Sequence, residues 1–304
     1  MNKAQLGVPL KNLYSLVGVT KQAHAQKRSD NLQKLVHHQA ILESIVRVRI
    51  LHPMMGLKKL YYKIKPIGLG RDLFMELAQL AGLGVERPKN YRRTTFSTKS
   101  NRYKNLLVDV IIDGINQVWV SDITYIWIVD RFYYITLIMD VYSRKIVGYQ
   151  VAASLAATAN VAALKMALKH RKNHDLKGLI HHSDKGTQYV FSEYINLLEQ
   201  NQIQVSMCNT VLENAHSERI NGTIKGEYLQ QRNINNFEQL KRHLDKDIKL
   251  YNEDRPHWEL GKMTPTEYEQ YLINIPKNER FKMKIYVDPK TIRKQKVANQ
   301  LALF

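Results

Sequence analysis

Three acidic residues occur in settings that suit metal chemistry. Asp122 lies in Gln117-Val118-Trp119-Val120-Ser121-Asp122-Ile123-Thr124-Tyr125, an apolar run that reads as a buried strand. Asp184 closes Gly178-Leu179-Ile180-His181-His182-Ser183-Asp184, a second apolar strand, and Lys185-Gly186-Thr187-Gln188-Tyr189 turns away from it. Glu218 falls in a stretch from Leu212 to Lys225 that reads as a helix, with 33 residues between it and Asp184. Oxygen ligands from several elements suit Mg²⁺ or Mn²⁺ rather than zinc. Two such ions, about 3.5–4 Å apart, activate an attacking oxygen and stabilise a leaving one in phosphoryl transfer.

Each acid has a plainer role to set against this one. Asp122 would otherwise be a hydrogen-bonded structural acid, though a buried carboxylate without a partner is costly. Asp184 would be a turn acid and Glu218 a surface helix residue. Asp140 also ends a strand, but Tyr142-Ser143-Arg144 after it indicates turn capping, and it is left out of the set. His181 and His182 suit a core or rim better than a metal. Asn214, one turn before Glu218, is a candidate to orient that acid or contact DNA, and His216 is a weaker candidate for touching substrate. Glu218 and Lys225 are seven apart, two helical turns, so they share a face; Lys225 would meet a phosphate beside the acids.

The elements that must bring these groups together follow from pattern. Val118–Ile128, Arg131–Asp140 and Ile146–Val151 read as a three-stranded antiparallel meander. A helix over Thr158–Lys172, a parallel-type strand over Gly178–Ser183, a helix capped by Ser192 and a strand over Ile203–Ser206 come next. Helices over 211–230 and 236–252 complete the set, with Ile220, Ile224 and Leu229 facing the sheet. Pro265 at the first position of a following helix marks structural closure. Three strands, helix, strand, helix, strand, helix is the ribonuclease H-like order. The expected fold is therefore α/β: a mixed five-stranded sheet with helices, preceded by a helical DNA-binding domain.

Charge separates the chain into zones. The formal net charge is +19 over 304 residues, with 20 Lys/Arg against 5 acids in residues 1–104, 18 against 20 in 105–276, and 8 against 2 in 277–304. Basic flanks around a near-neutral centre are the footprint of a polyanion binder. Residues 1–88 read as a helical, helix-turn-helix-like region: Pro9–Val17, a break at Gly18, a helix from Thr20 through Lys27, another over 34–51, then two more around Gly56–Tyr62 and Arg71–Ala78. Lys58, Lys59, Lys63 and Arg71 are phosphate candidates there. Residues 89–104, with Arg92 and Arg93, read as a basic linker ordered on DNA; 105–276 is the core; 277–304 reads as a mobile basic tail with a brief strand at Ile285-Tyr286-Val287. No apolar run is long enough to span a membrane, and the single cysteine, Cys208, suits a reducing cytoplasm.

This ordered set resembles the catalytic subunit of insertion-sequence transposases of the IS3 group, which share the DDE integrase core with retroviral integrases. Trp119 to Tyr125, His182 to Tyr189, Glu213 to Glu218, Asn221 to Glu227, Tyr251-Asn252 through Arg255-Pro256-His257, and Thr264 to Glu267 carry it, over roughly residues 40–270. One departure is a second spacer about two residues short near Met207-Cys208-Asn209-Thr210, in a loop that absorbs such a loss. The resemblance implies Asp122, Asp184 and Glu218 as catalytic acids holding two Mg²⁺ (or Mn²⁺) ions. It implies attack by water and then by a DNA 3′-hydroxyl, terminal inverted repeats and target DNA as substrate, and a homo-multimer on DNA. It also implies a separate upstream-frame protein, often joined by frameshifting, that supplies end recognition and a leucine zipper; no heptad run stands out in this chain. On the residues alone, a cutting-only nuclease of the same fold and a catalytically inactive, transposase-derived DNA-binding protein stay open.

Overall fold

A computed structural model describes residues 9–86, 103–208 and 211–286, which fall into two units. The first comprises residues 9–51 and 56–85; the second comprises 52–55 and the described residues from 86 onward. Arg92 and Arg93, the rest of the expected linker as far as residue 102, Asn209-Thr210 and the tail from 287 lie outside the described residues.

In the first unit, α1 (Leu10–Leu16) stops at Gly18, whose φ of +67° is one that glycine adopts freely. Thr20 then caps α2 (Lys21–Leu51), its Oγ1 accepting from the Ala23 amide at 3.1 Å. The expected gap between residues 27 and 34 is absent, and α2 runs unbroken for 31 residues. That stretch is polar but holds neither Pro nor Gly, and polarity alone does not end a helix. Two further helices, α3 (Leu57–Ile64) and α4 (Arg71–Leu80), pack through Leu60, Phe74 and Ala78, all fully buried. Tyr61 meets Phe74 edge-on at 5.5 Å.

The second unit is built on a mixed sheet. In chain order come β1 (Ile111–Ile112), β2 (Val118–Ile128), β3 (Arg131–Asp140), β4 (Ile146–Ala152), α5 (Ala157–His170), β5 (Ile180–Ser183), α6 (Ser192–Gln200) and β6 (Gln204–Met207). These are followed by α7 (Ala215–Thr223), α8 (Phe237–Glu253), α9 (Pro265–Ile273) and β7 (Met283–Lys284). The five long-range strands are ordered β4-β3-β2-β5-β6, with β2–β3 and β3–β4 antiparallel and β2–β5 and β5–β6 parallel. This is the ribonuclease H-like arrangement, and β2 is its central strand.

Alternation along β2 assigns the faces. Val118, Val120, Ile126 and Ile128 join one core with Ile220 and Ile224 of the α7 segment and Leu240, Leu244 and Ile248 of α8. On the opposite side Trp119 packs with Val161 and Leu164 of α5 and Tyr194 and Leu198 of α6. Asn252, at the end of α8, both donates to the Ile146 carbonyl and accepts from its amide at 2.9 Å, fastening that helix to β4. Thr264 and Glu267 form a reciprocal capping box at the start of α9.

Three further expectations change. Ser192 is the first residue of α6 and caps nothing with its side chain. The helix expected over 211–230 is divided: a 3₁₀ turn at Val211–Asn214, then α7, a π turn at Ile224–Tyr228 and a 3₁₀ turn at Leu229–Gln231. The π turn accompanies the burial of Glu227 against Arg255, a two-pronged ion pair at 2.8–3.0 Å. Finally, residues 277–286 pack on the core rather than trailing from it. There β7 pairs with β1, two residues before the expected strand, and Arg280 donates to the Leu272 and Ile275 carbonyls at 2.9 Å. Basic composition masked the anchoring residues Met283 and Ile285, which sit against the core.

At Gly148 of β4 the helix α5 comes close: a Cβ there would lie 2.2 Å from the Ala163 carbonyl oxygen and 2.9 Å from the Ala167 Cβ. Backbone cannot yield as a flexible side chain does. Gly148→Ala is expected to destabilise the protein by about 1–3 kcal/mol or more, read as a lowered thermal midpoint. An unchanged midpoint would show that α5 sits farther from β4 than described.

Candidate active site

Asp122 occupies the middle of β2, just past the last residue paired with β5, Val120. Its Oδ1 accepts from the Ile123 amide and its Oδ2 from Asn221 Nδ2, each at 2.9 Å. Asp184 follows the end of β5, beside β2, where parallel-sheet sites form. Its Oδ1 accepts from the Gly186 amide at 3.0 Å. Gly186 has an ordinary φ of −61°, yet a Cβ there would lie 3.0 Å from that oxygen and 2.9 Å from Gln188 Oε1. The glycine therefore leaves room for the carboxylate. Glu218 projects from the exposed side of α7, in the first turn of the helix.

Two further contacts fix the pose of α7. Asn221, one turn beyond Glu218, ties the helix to β2 through Asp122. Its Oδ1 is buried and finds no donor among the described residues. At the start of the helix, Arg144 donates to His216 Nδ1 at 2.8 Å and pairs with Glu259 at 2.6 Å; Arg219 reaches the same carboxylate at 2.6 Å. Burial and the adjacent Arg144 guanidinium push His216 down to about 4, so it is a neutral acceptor. Sequence reasoning missed Asn221 and this clamp. Only the spacing of Asn221, three residues after Glu218 on one helix, hinted at the first.

Burial, then the neighbouring Asp184 charge, and further the Glu218 charge, push Asp122 up to about 7 against the pull of the Ile123 and Asn221 bonds. Burial also raises Asp184 and Glu218. Asp122 is thus near enough to feel the charge of both other acids. Among the described residues none of them has a Lys or Arg partner, and no three His, Cys, Asp or Glu side chains are gathered tightly enough to grip an ion between them. The donor set is oxygen-only and its charges are uncompensated among the described residues, which fits divalent Mg²⁺ or Mn²⁺.

The remaining candidates separate cleanly. Lys225 is half-buried, its ammonium 4.7 Å from the centre of the Tyr125 ring, and burial lowers its pKa. Asn214 is 5% exposed and accepts from Ser217 Oγ at 2.5 Å, so it braces the first turn of α7 and offers little surface to DNA. His181 and His182 are buried and pushed down to about 3 and about 4, with Tyr194 and Ser206 as partners. They are neutral core residues. Asp140 accepts from the Asn116, Tyr142 and Ser143 amides at 2.6–3.0 Å and is the expected turn cap. In the first unit, Lys58 and Arg71 are exposed, Lys59 and Lys63 half-buried, and Arg71 pairs with Asp72 at 2.9 Å.

Known proteins are similar to this chain in sequence. Residues 113–211 and 201–265 match two descriptions of the integrase core domain. The uncharacterized 31 kDa protein of insertion element IS600 from Shigella sonnei is 31% identical over 222 residues, covering 71% of this chain and 81% of that protein. The transposase of IS629, also from Shigella sonnei, is 31% identical over 225 residues, 72% of this chain and 75% of that one. The putative transposase InsK of IS150 from Escherichia coli K12 is 28% identical over 194 residues, 63% and 67% of the two chains.

A carboxyl raised in the fold above its unfolded value of about 3.9 keeps its proton longer when folded, so stability falls as pH climbs between the two values. Burial and the Asp184 and Glu218 charges push Asp122 up to about 7. In EDTA, the native protein should therefore lose roughly 1–3 kcal/mol relative to Asp122→Asn from about pH 4 to pH 8. Mn²⁺ at the upper pH should stabilise the native protein and leave the variant unchanged. Thermal melts across pH check both; a pH-independent difference would mean that Asp122 is not under this repulsion.

Proposed function

The chain belongs to the insertion-sequence transposases of the IS3 group, DDE-type polynucleotidyl transferases, and from that membership we propose that it cuts and joins DNA at element ends with Asp122, Asp184 and Glu218 as the catalytic acids. The observation that carries the assignment is placement: Asp122 on β2, Asp184 just after the adjacent parallel strand β5 and Glu218 on α7, whose Asn221 is bonded to Asp122, with no Lys or Arg partner for any of the three among the described residues. These residues would hold two Mg²⁺ or Mn²⁺ ions. Such a pair, when bound, activates an attacking oxygen and stabilises a leaving one.

The chain's own groups do the positioning. The Asn221 amide and the Ile123 N–H aim the Asp122 carboxylate, and the Gly186 N–H aims that of Asp184. Lys225, seven residues beyond Glu218, receives a phosphate of the bound strand. Water attacks first, leaving a 3′-hydroxyl on the element end and a 5′-phosphate on the flank; that hydroxyl then attacks a target phosphodiester in line and displaces the target's own 3′-oxygen, which leaves as a 3′-hydroxyl. No side-chain nucleophile takes part. Lys58, Lys59, Lys63 and Arg71 of the helical unit, with Arg92 and Arg93, take backbone phosphates and so set position rather than sequence. The substrates are the element's terminal inverted repeats and a target duplex. The working form is a homo-multimer in the cytoplasm, assisted by an upstream-frame protein.

Strand transfer of a labelled element end in Mg²⁺ tests the assignment. Asp184→Ala and Glu218→Gln should each lose at least about 10³-fold in joining, the rate equivalent of roughly 4 kcal/mol, while still binding the end in EDTA. Undiminished joining by Asp184→Ala would overturn it. Cutting without joining by the native protein would identify a nuclease instead.

A further inference from the structure

The hairpin of β2 and β3 reaches beyond the rest of the sheet. β5 pairs with β2 only from Val118 to Val120, whereas β2 and β3 stay paired out to Ile128 and Arg131. Along this arm Ile126 and Ile128 point into the core, and Tyr133 packs on Phe237 at 5.7 Å. The other face carries Tyr125 and, as directly opposed neighbours, Trp127 and Phe132. Their rings form a continuous surface: Trp127 meets Phe132 at 4.6 Å and Tyr125 meets Phe132 at 5.3 Å, both edge to face. Trp127 is 56% exposed and Phe132 44%. Lys225 stands over the Tyr125 ring, linking this surface to the helix segment that carries Glu218.

The patch draws its interest from its composition and its place on the strand that carries Asp122, rather than from its area. Aromatic side chains bury about 150–250 Å² each; Trp127 and Phe132, about half exposed, with the more covered Tyr125 offer roughly 200–300 Å², well short of the about 800 Å² per partner in a stable dimer. The area suits a few stacked bases. Position supports the same occupant. Trp127 lies five residues beyond Asp122 on one strand, roughly 17 Å at about 3.3 Å per residue. That is roughly five nucleotides at about 3.4 Å each. Rings joined to a nearby cation are how proteins hold unpaired strands, bases on the rings and phosphates on the amine.

We propose that Tyr125, Trp127 and Phe132 form a stacking platform for unpaired bases of the DNA strand next to the reacting phosphate. This rests on the assignment of Asp122, Asp184 and Glu218 to DNA joining. The platform implies that the duplex end frays before or during joining, and that the freed bases are held along β2.

The test compares the full chain with the double variant Trp127→Ala/Phe132→Ala, each bound in EDTA to a single-stranded oligonucleotide and to a blunt duplex of the same sequence. Anisotropy should show the single-strand affinity falling about 10–100-fold, with the duplex affinity changing less than about threefold. Trp127→Phe should keep the single-strand affinity and Trp127→Leu should lose it, which separates stacking from apolar bulk and from misfolding. Joining of an end with mismatched terminal bases should suffer less in the double variant than joining of a fully paired end. A folded double variant that binds the single strand as the native protein does overturns the platform. So does loss of self-association in sedimentation with strand binding intact, which would assign the patch to a second copy. If the native protein joins ends normally in either case, the acid assignment survives; if it neither binds nor joins DNA, both fall.

Discussion

Asp122 is a buried acid that feels the charges of Asp184 and Glu218, with no Lys or Arg partner among the described residues. Everything else in the second unit answers to that constraint. Asp122 and Asp184 come from adjacent parallel strands, so their backbones cannot drift apart without breaking the sheet. Each accepts a backbone N–H, which offsets part of the cost of ionising in a half-buried place. Among the described residues no Lys or Arg supplies a counter-charge, a setting that suits a hard divalent cation.

Glu218 is delivered differently, on a helix approached through a short connection from β6. The pose of α7 does not depend on that connection. Ile220 and Ile224 are buried against β2, Asn221 is bonded to Asp122, and Arg144 and Glu259 grip the helix near its start. A deletion near residues 207–210 therefore changes how the chain enters the helix, while packing decides where the helix lies. The π turn after Thr223 then redirects Glu227 and Tyr228 inward, toward Arg255 and His52 respectively. Lys225 stays at the edge of β2, over Tyr125.

Much of this was legible from pattern. The meander, β5, α6, β6 and α8 follow from period-two and amphipathic runs, and the two aspartates fall where those runs place them. Features that depend on tertiary contact were not legible. Asn221 reads as an unremarkable polar residue until α7 lies on β2. Asn214, beside the acid in sequence, turns out buried against Ser217 because the helix start folds inward. Residues 277–286 look like a solvated basic tail, yet two backbone pairings and the bonds of Arg280 hold them to the core. In α2, a run of polar residues looked like a break, although nothing in it breaks a helix.

A crystal soaked in Mn²⁺, with its anomalous scattering mapped, tests the central claim most directly. The account expects metal peaks beside β2 contacted by oxygens of Asp122, Asp184 and Glu218 together, with the Asp122 side chain turned from its present bonds. Peaks that engage the aspartates while Glu218 stays in solvent, or metal bound only elsewhere, would contradict it.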